Sequence, residues 1–289
     1  MTRTTAPYGT WSSPISPASV AGNSRRFGSL QPGPRAVYWS EGRPGDAGRV
    51  VIVKCDDSGR KTDVIPPGFS ARSRVHEYGG GEFSVWNNRV FFVNDQDQDI
   101  YEVANDGAPQ RITNCADWRF SDMCYDPRQN RLLAIAERHD TADKLPVNLL
   151  VSIALEQAFL GEINTVAEGR DFYASPHLSP CGLQLAYLCW DLPHMPWETA
   201  ELWMTQRDGH NGFPSGEKIA GGAGECVFQP QWCRDGGLIF IWNKSGWGNL
   251  YLLAPGRSGG ESVPLFKAPS EFGHPQWVFG MFLILQTAT

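Results

Sequence analysis

The sequence predicts an all-β fold built from repeated four-stranded sheets, and three observations carry that prediction. A short opening motif recurs along the chain, each copy leads into an apolar run of strand length, and turn-forming residues punctuate the stretches between copies. The clearest copy is Pro230-Gln231-Trp232-Cys233-Arg234-Asp235-Gly236, leading into Leu238-Ile239-Phe240-Ile241-Trp242. The opening returns as Pro275-Gln276-Trp277, and earlier as Pro176-His177-Leu178-Ser179-Pro180-Cys181-Gly182 ahead of 183–190. A weaker copy is Tyr125-Asp126-Pro127, ahead of Leu132-Leu133-Ala134-Ile135-Ala136.

Each apolar run is too short for a core helix and rich in β-branched or aromatic residues, so it reads as a strand buried on both faces. A half-buried third strand follows, as in Ile100-Tyr101-Glu102-Val103, Leu149-Leu150-Val151, Leu202-Trp203-Met204 and Leu250-Tyr251-Leu252. Hairpin-type turns such as Asp106-Gly107 and Asp208-Gly209 come next. More polar fourth strands close the units, as in Arg111-Ile112-Thr113 and Lys218-Ile219-Ala220. Four strands repeating every ~40–50 residues are the mark of β-propeller blades. The expected blades are 35–70, 76–114, 120–168, 172–222 and 226–268, with another opening at 272–289, after a lead-in arm over 1–34. A β-sandwich has no reason to repeat a Pro-x-Trp opening in register. Because the chain stops one strand into a new blade, a truncated propeller (35–289) is expected.

Composition narrows the function. Hydrophobic residues make up 41% and charged ones 19%, a balance suited to a globular domain, and the 11 Trp, 31 Gly and 21 Pro suit a turn-rich β fold. The net charge is −6 and the basic residues form no cluster beyond Arg25-Arg26, so a nucleic-acid partner is not expected. No apolar run approaches the ~20 residues needed to span a bilayer, so no membrane partner is expected either. The seven cysteines (55, 115, 124, 181, 189, 226 and 233) are odd in number and lack a CxxC pair. That pattern favours free thiols in a reducing, cytoplasmic setting over a disulfide framework or structural zinc. His139, His177, His194, His210 and His274 show no ligand spacing, and no metal or other cofactor is expected.

Several stretches share an order with a known family. They are Tyr8-Gly9-Thr10-Trp11-Ser12-Ser13-Pro14-Ile15, Val37-Tyr38-Trp39-Ser40-Glu41-Gly42-Arg43-Pro44, and Arg74-Val75-His76-Glu77-Tyr78-Gly79-Gly80-Gly81. Asp171-Phe172-Tyr173 and Trp190-Asp191-Leu192-Pro193-His194-Met195-Pro196-Trp197 complete the series. Together they resemble the N-terminal propeller of prolyl oligopeptidase-like serine peptidases, of the acylaminoacyl-peptidase and dipeptidyl-aminopeptidase branch. The resemblance runs from residue 8 to about 281. It departs at Leu192, where the family usually carries His, and at Cys181, where a blade turn usually carries Asp. It implies a partner, an α/β-hydrolase domain that comes after the propeller and carries Ser, Asp and His in that order. No alternation of strands and amphipathic helices supplies such a domain in this chain.

The residues that invite a functional reading are few. Gly256-Arg257-Ser258-Gly259-Gly260 fits the GxSxG pattern, but it occupies the blade position of the turns at Asp57-Ser58-Gly59 and Asp106-Gly107, so it reads as a hairpin turn and no catalytic residue is assigned. His76 beside Glu77 could do acid–base work. Adjacent residues on a strand point to opposite faces, however, and the expectation is that Gly79, Gly80 and Gly81 make a tight turn while His76 and Tyr78 pack between blades. Residues 190–197 read as a long insertion between second and third strands, with Trp190, Met195, Pro196 and Trp197 at a domain contact or the substrate channel. The expected function is a propeller that gates short peptides for a prolyl oligopeptidase-like serine peptidase, the chain alone being inactive. The alternative is a free-standing protein- or peptide-binding propeller. A metal-dependent propeller hydrolase would need carboxylates converging from several blades, and the sequence offers no matched set.

Overall fold

A computed structural model describes residues 5–21, 24–140, 145–256, 261–273 and 275–281. They form five four-stranded antiparallel sheets in a ring, a β-propeller with almost no helix. Blade 1 is β1 (Arg26–Pro32), β2 (Ala36–Arg43), β3 (Arg49–Asp56) and β4 (Lys61–Asp63); blade 2 is β5 (Phe83–Trp86), β6 (Arg89–Val93), β7 (Ile100–Ala104) and β8 (Gln110–Arg111). Blade 3 is β9 (Trp118–Asp126), β10 (Arg131–Arg138), β11 (Val147–Ala154) and β12 (Ile163–Ala167). Blade 4 is β13 (Phe172–Leu178), β14 (Gln184–Trp190), β15 (Glu201–Gln206) and β16 (Glu217–Gly221). Blade 5 is β17 (Val227–Trp232), β18 (Leu238–Trp242), β19 (Asn249–Leu253) and β20 (Val263–Phe266). No helix is long and apolar enough to cross a membrane among the described residues.

The expected apolar runs are the second strands, and their burial explains their composition. In β10, Leu132, Ala134 and Ala136 enter the core shared with blade 2, while Leu133 and Ile135 enter the core shared with blade 4. Side chains alternate across a strand, so a sheet wedged between two others must be apolar at every position. Similar cores join blade 1 to 2 and blade 4 to 5.

Two boundaries differ from expectation. Blade 1 opens at Arg26, inside the expected lead-in arm, because β1 pairs with β2 (Leu30 against Trp39). The segment expected to open another blade carries no strand among its described residues. Phe279 instead bridges Gly80 in parallel, placing this segment beside the start of blade 2.

The innermost strands repeat one irregularity that sequence periodicity does not announce. β1, β9, β13 and β17 each slip register once against their neighbour. At three of these bulges a non-glycine residue sits in the left-handed region: Asp122 at φ 52°, Ser175 at 52° and Gln229 at 51°. A bulge re-aims the side chain it carries. Here it links neighbours around the axis: the Ser175 N–H donates to Asp122 Oδ2 (2.6 Å) and the Asp122 N–H to the Gly81 carbonyl (2.9 Å).

Candidate functional site

In an up-and-down blade, the second-to-third connection and the crossing to the next blade emerge at the same end. Segments 76–81, 168–171 and 191–200 are such connections, and with residues 139, 140, 145 and 146 they surround one mouth of the axis. There they enclose a cavity of about 420 Å³, walled by His76, Phe172, Trp190, Trp197, Trp277 and Phe279 among others.

The 76–81 segment is a turn, not a strand. The Glu77 N–H donates to the Arg74 carbonyl and the Gly79 N–H to that of Val75, both at 3.0 Å. His76 (φ 54°) and Glu77 (φ 62°) adopt left-handed backbone to close it, which separates their side chains more firmly than strand alternation would. His76 turns inward, its ring centroid 4.9 Å from Phe172, 5.0 Å from Phe279 and 6.1 Å from Trp190. Its Nε2 lies 3.0 Å from Asn148 Oδ1 and donates to it. Burial holds this imidazole below its ordinary value of 6.5, with the nearby Glu137 and the Asn148 contact pulling the other way. Glu77 turns outward to Arg119, 2.5 Å away, and that hydrogen bond lowers its carboxyl. Tyr78, expected between blades, stands 70% exposed at the cavity rim, because the turn that buries His76 swings the next side chains into solvent.

The three glycines have distinct tasks. All have positive φ, and a Cβ on each would collide with backbone: on Gly79 with the Ser73 carbonyl, on Gly80 with that of Phe279, and on Gly81 with the Asp122 amide. The Phe279 N–H donates to the Gly79 carbonyl at 3.0 Å, so these glycines let 275–281 lie flat against the turn.

The 191–200 connection is the expected insertion between β14 and β15. Its base is fixed by Arg170, which reaches Asp191 (2.7 Å) and Glu201 (2.8 Å), and by Asp171, which accepts the Leu192 N–H (2.9 Å). From that base Trp197 extends to Trp277, with centroids 4.5 Å apart, and Trp190 stacks on Phe172 at 5.3 Å.

Of the motif residues singled out in the sequence, His76, Glu77, Tyr78, Gly79, Trp190, Met195, Pro196 and Trp197 line this one cavity, while Gly80 and Gly81 sit behind its wall. Sequence reasoning missed Glu137, which is 3% exposed and accepts the His76 backbone N–H at 2.7 Å. An acid closing the all-apolar stretch 132–136 was the available signal. Trp277 was signalled by its repeat motif. Past Gly256, the GxSxG stretch with Ser258 lies outside the described residues; the strands flanking it, β19 and β20, pair antiparallel (Leu252 against Val263), so no helix succeeds it as an elbow requires. No cluster of His, Cys, Asp or Glu able to hold a metal occurs among the described residues. The cavity offers aromatic faces and fixed hydrogen-bond partners, a chemistry of binding.

No protein-family model and no curated protein matches the chain. Solved structures do. A Mycobacterium tuberculosis puromycin-hydrolyzing peptidase superposes with a TM-score of 0.85 at 29% identity, over 96% of this chain and 44% of that one. A puromycin hydrolase mutant complexed with PGG gives 0.87 at 29% identity, over 96% and 44%. The chain is similar to the propeller portion of these peptidases. A prolyl endopeptidase structure, at 12% identity and a TM-score of 0.62 over 85% of this chain and 37% of that one, shares the propeller fold. The chain spans less than half the length of the two puromycin-hydrolysing structures.

Proposed function

We propose that this propeller selects short peptides and admits them along its axis to an α/β-hydrolase domain of the serine peptidase type, itself contributing no catalytic group. The observation that carries the reading is the cavity at the axial mouth, whose ~420 Å³ falls in the range of small-ligand sites, about 300–1,000 Å³. It takes a few residues of extended peptide and excludes a folded chain. The puromycin-hydrolysing structures, one of them a complex with PGG, support a small peptide-like ligand. The reading includes a reducing, cytoplasmic setting, in keeping with seven free cysteines.

The test is a titration of the chain with peptides of increasing length, paired with an assay on acyl-peptide and aminoacyl chromogenic substrates. Di- to tetrapeptides are expected to bind, a small disulfide-closed protein is not, and no substrate should turn over. Turnover that survives repeated purification, or binding indifferent to ligand size, overturns the proposal.

A further inference from the structure

The axial cavity is walled more selectively than a size filter requires, and this inference rests on the peptide-admitting reading above. Aromatic rings face it from three separate parts of the chain. Phe172 and Trp190 form a near-parallel stack at an interplanar angle of 15°. Trp197 and Trp277 meet at 41° across the opening, with Trp277 56% exposed. His76 stands edge-on to Phe172, at 86°. Around the rings lies a rim of exposed apolar side chains, Leu145, Leu192, Met195 and Val278. Exposed apolar groups gathered around a concave site mark a surface built to be covered.

The charge of the wall is one-sided. Its described residues include Glu77, Glu137 and Asp171 and no Lys or Arg. Each carboxylate is already oriented: Glu77 by Arg119, Glu137 by the His76 N–H with Arg119 at 3.8 Å and His139 at 3.3 Å, and Asp171 by the Leu192 N–H. An anionic side chain entering the cavity would leave water for an apolar wall that offers it carboxylates and no Lys or Arg to pair with. The opposite mouth, a cavity of about 530 Å³, carries both signs: Asp122 and Arg128 line it beside His177 and Cys181.

We propose that the cavity between the 76–81 turn and the 191–200 connection binds an aromatic side chain of the peptide, held between the Trp197–Trp277 and Phe172–Trp190 pairs, and rejects acidic side chains. Ring-on-ring contact supplies the selectivity for aromatics over small apolar residues. The carboxylate-bearing wall supplies the discrimination against Asp and Glu.

Isothermal titration of the chain with three end-capped tripeptides, Gly-Phe-Gly, Gly-Ala-Gly and Gly-Asp-Gly, tests this. The Phe peptide is expected to bind about tenfold or more tighter than the Ala peptide, with the Asp peptide weakest. Trp197→Ala should remove the Phe advantage, Trp197→Phe should keep most of it, and Trp86→Ala at the opposite mouth should change nothing. Should Trp197→Ala lose its fold by circular dichroism, Trp277→Ala serves the same purpose. Equal affinity for the Phe and Ala peptides, or a Phe advantage untouched by both tryptophan variants, overturns the aromatic site while leaving an axial channel that sorts by size. Failure of all three peptides to bind overturns both readings.

Discussion

Glu82 is a carboxyl enclosed at the ring of inner strands, 8% exposed, with Ser29 Oγ at 3.5 Å and Ser40 as its other hydroxyl partner. Burial raises it above its ordinary value of 4.5, and the two hydroxyls only partly offset that. His76 is displaced the other way, since burial disfavours its charged form. The two set opposite limbs of a stability profile. A raised acid contributes fully below its unfolded value near 4.5 and loses that contribution as pH rises through its folded value. A depressed histidine contributes fully above 6.5 and loses that as pH falls through its folded value. Glu82→Gln keeps the hydrogen-bonding shape and removes the titration, so urea midpoints measured from pH 4 to 9 should fall less on the alkaline side than in the parent. The acid limb should be unchanged. A variant profile parallel to the parent's across the whole range would show that Glu82 ionises freely in the fold.

At the scale of elements, the seam between blades 3 and 4 shows how sheets that share no strand pairing are locked together. Asp126, at the end of β9, is fully buried and meets Arg131 of its own blade at 2.9 Å and Arg207 of blade 4 at 2.8 Å. Arg207 also donates to the Gly182 carbonyl at 2.8 Å and lies 4.5 Å over the Phe213 ring. Removing one partner of a buried pair strands the other charge. Arg207→Ala should therefore cost about 3 kcal/mol in denaturant unfolding, the low end of the usual range because Arg131 remains. Arg207→Lys should fall between, keeping the charge but losing the planar fork. A loss within experimental error for Arg207→Ala would show that Arg131 alone satisfies Asp126. Elements were also where the sequence was most and least readable. The runs 132–136, 185–190 and 238–242 declared themselves because burial on both faces forces continuous apolarity. β1 did not: Arg26–Pro32 is mostly exposed and slips register between Phe27 and Leu30, so neither alternation nor a run survives to be read. The site was half visible. Segments 76–81 and 190–197 stood out as motifs, but their meeting at one mouth, and the arrival of Glu137, Asn148, Trp277 and Phe279 there, depend on closure around the axis. No local pattern encodes that.

For the molecule as a whole, the blades are equal in topology and unequal in support. Blades 2, 3 and 4 each bury apolar residues against a neighbour on both sides. Among the described residues, the hydrophobic cores of blades 1 and 5 are shared only with blades 2 and 4. Blade 1 covers its other face with charge: Glu41, nearly buried, is held by Arg25 (2.8 Å) and Arg43 (2.9 Å), and Arg43 also grips Asp63 at 2.6 Å. Blade 5 instead ends in β20, exposed at every position, with Val263, Leu265 and Phe266 among its residues. Arrays whose units touch only their neighbours distribute stability unevenly, and local opening tracks the density of buried contacts. Native-state hydrogen exchange should therefore show a gradient: slowest amides in β10 and β14, intermediate in β6 and β18, fastest in β4 and β20. The last two strands of blade 5, β19 and β20, should exchange ahead of the equivalent strands of blade 3, β11 and β12, although both sheets have four strands and the same pairing. Uniform protection across the five blades would mean that the ring opens and closes as one unit, with the charged face of blade 1 and the apolar face of blade 5 as tightly held as the seams between.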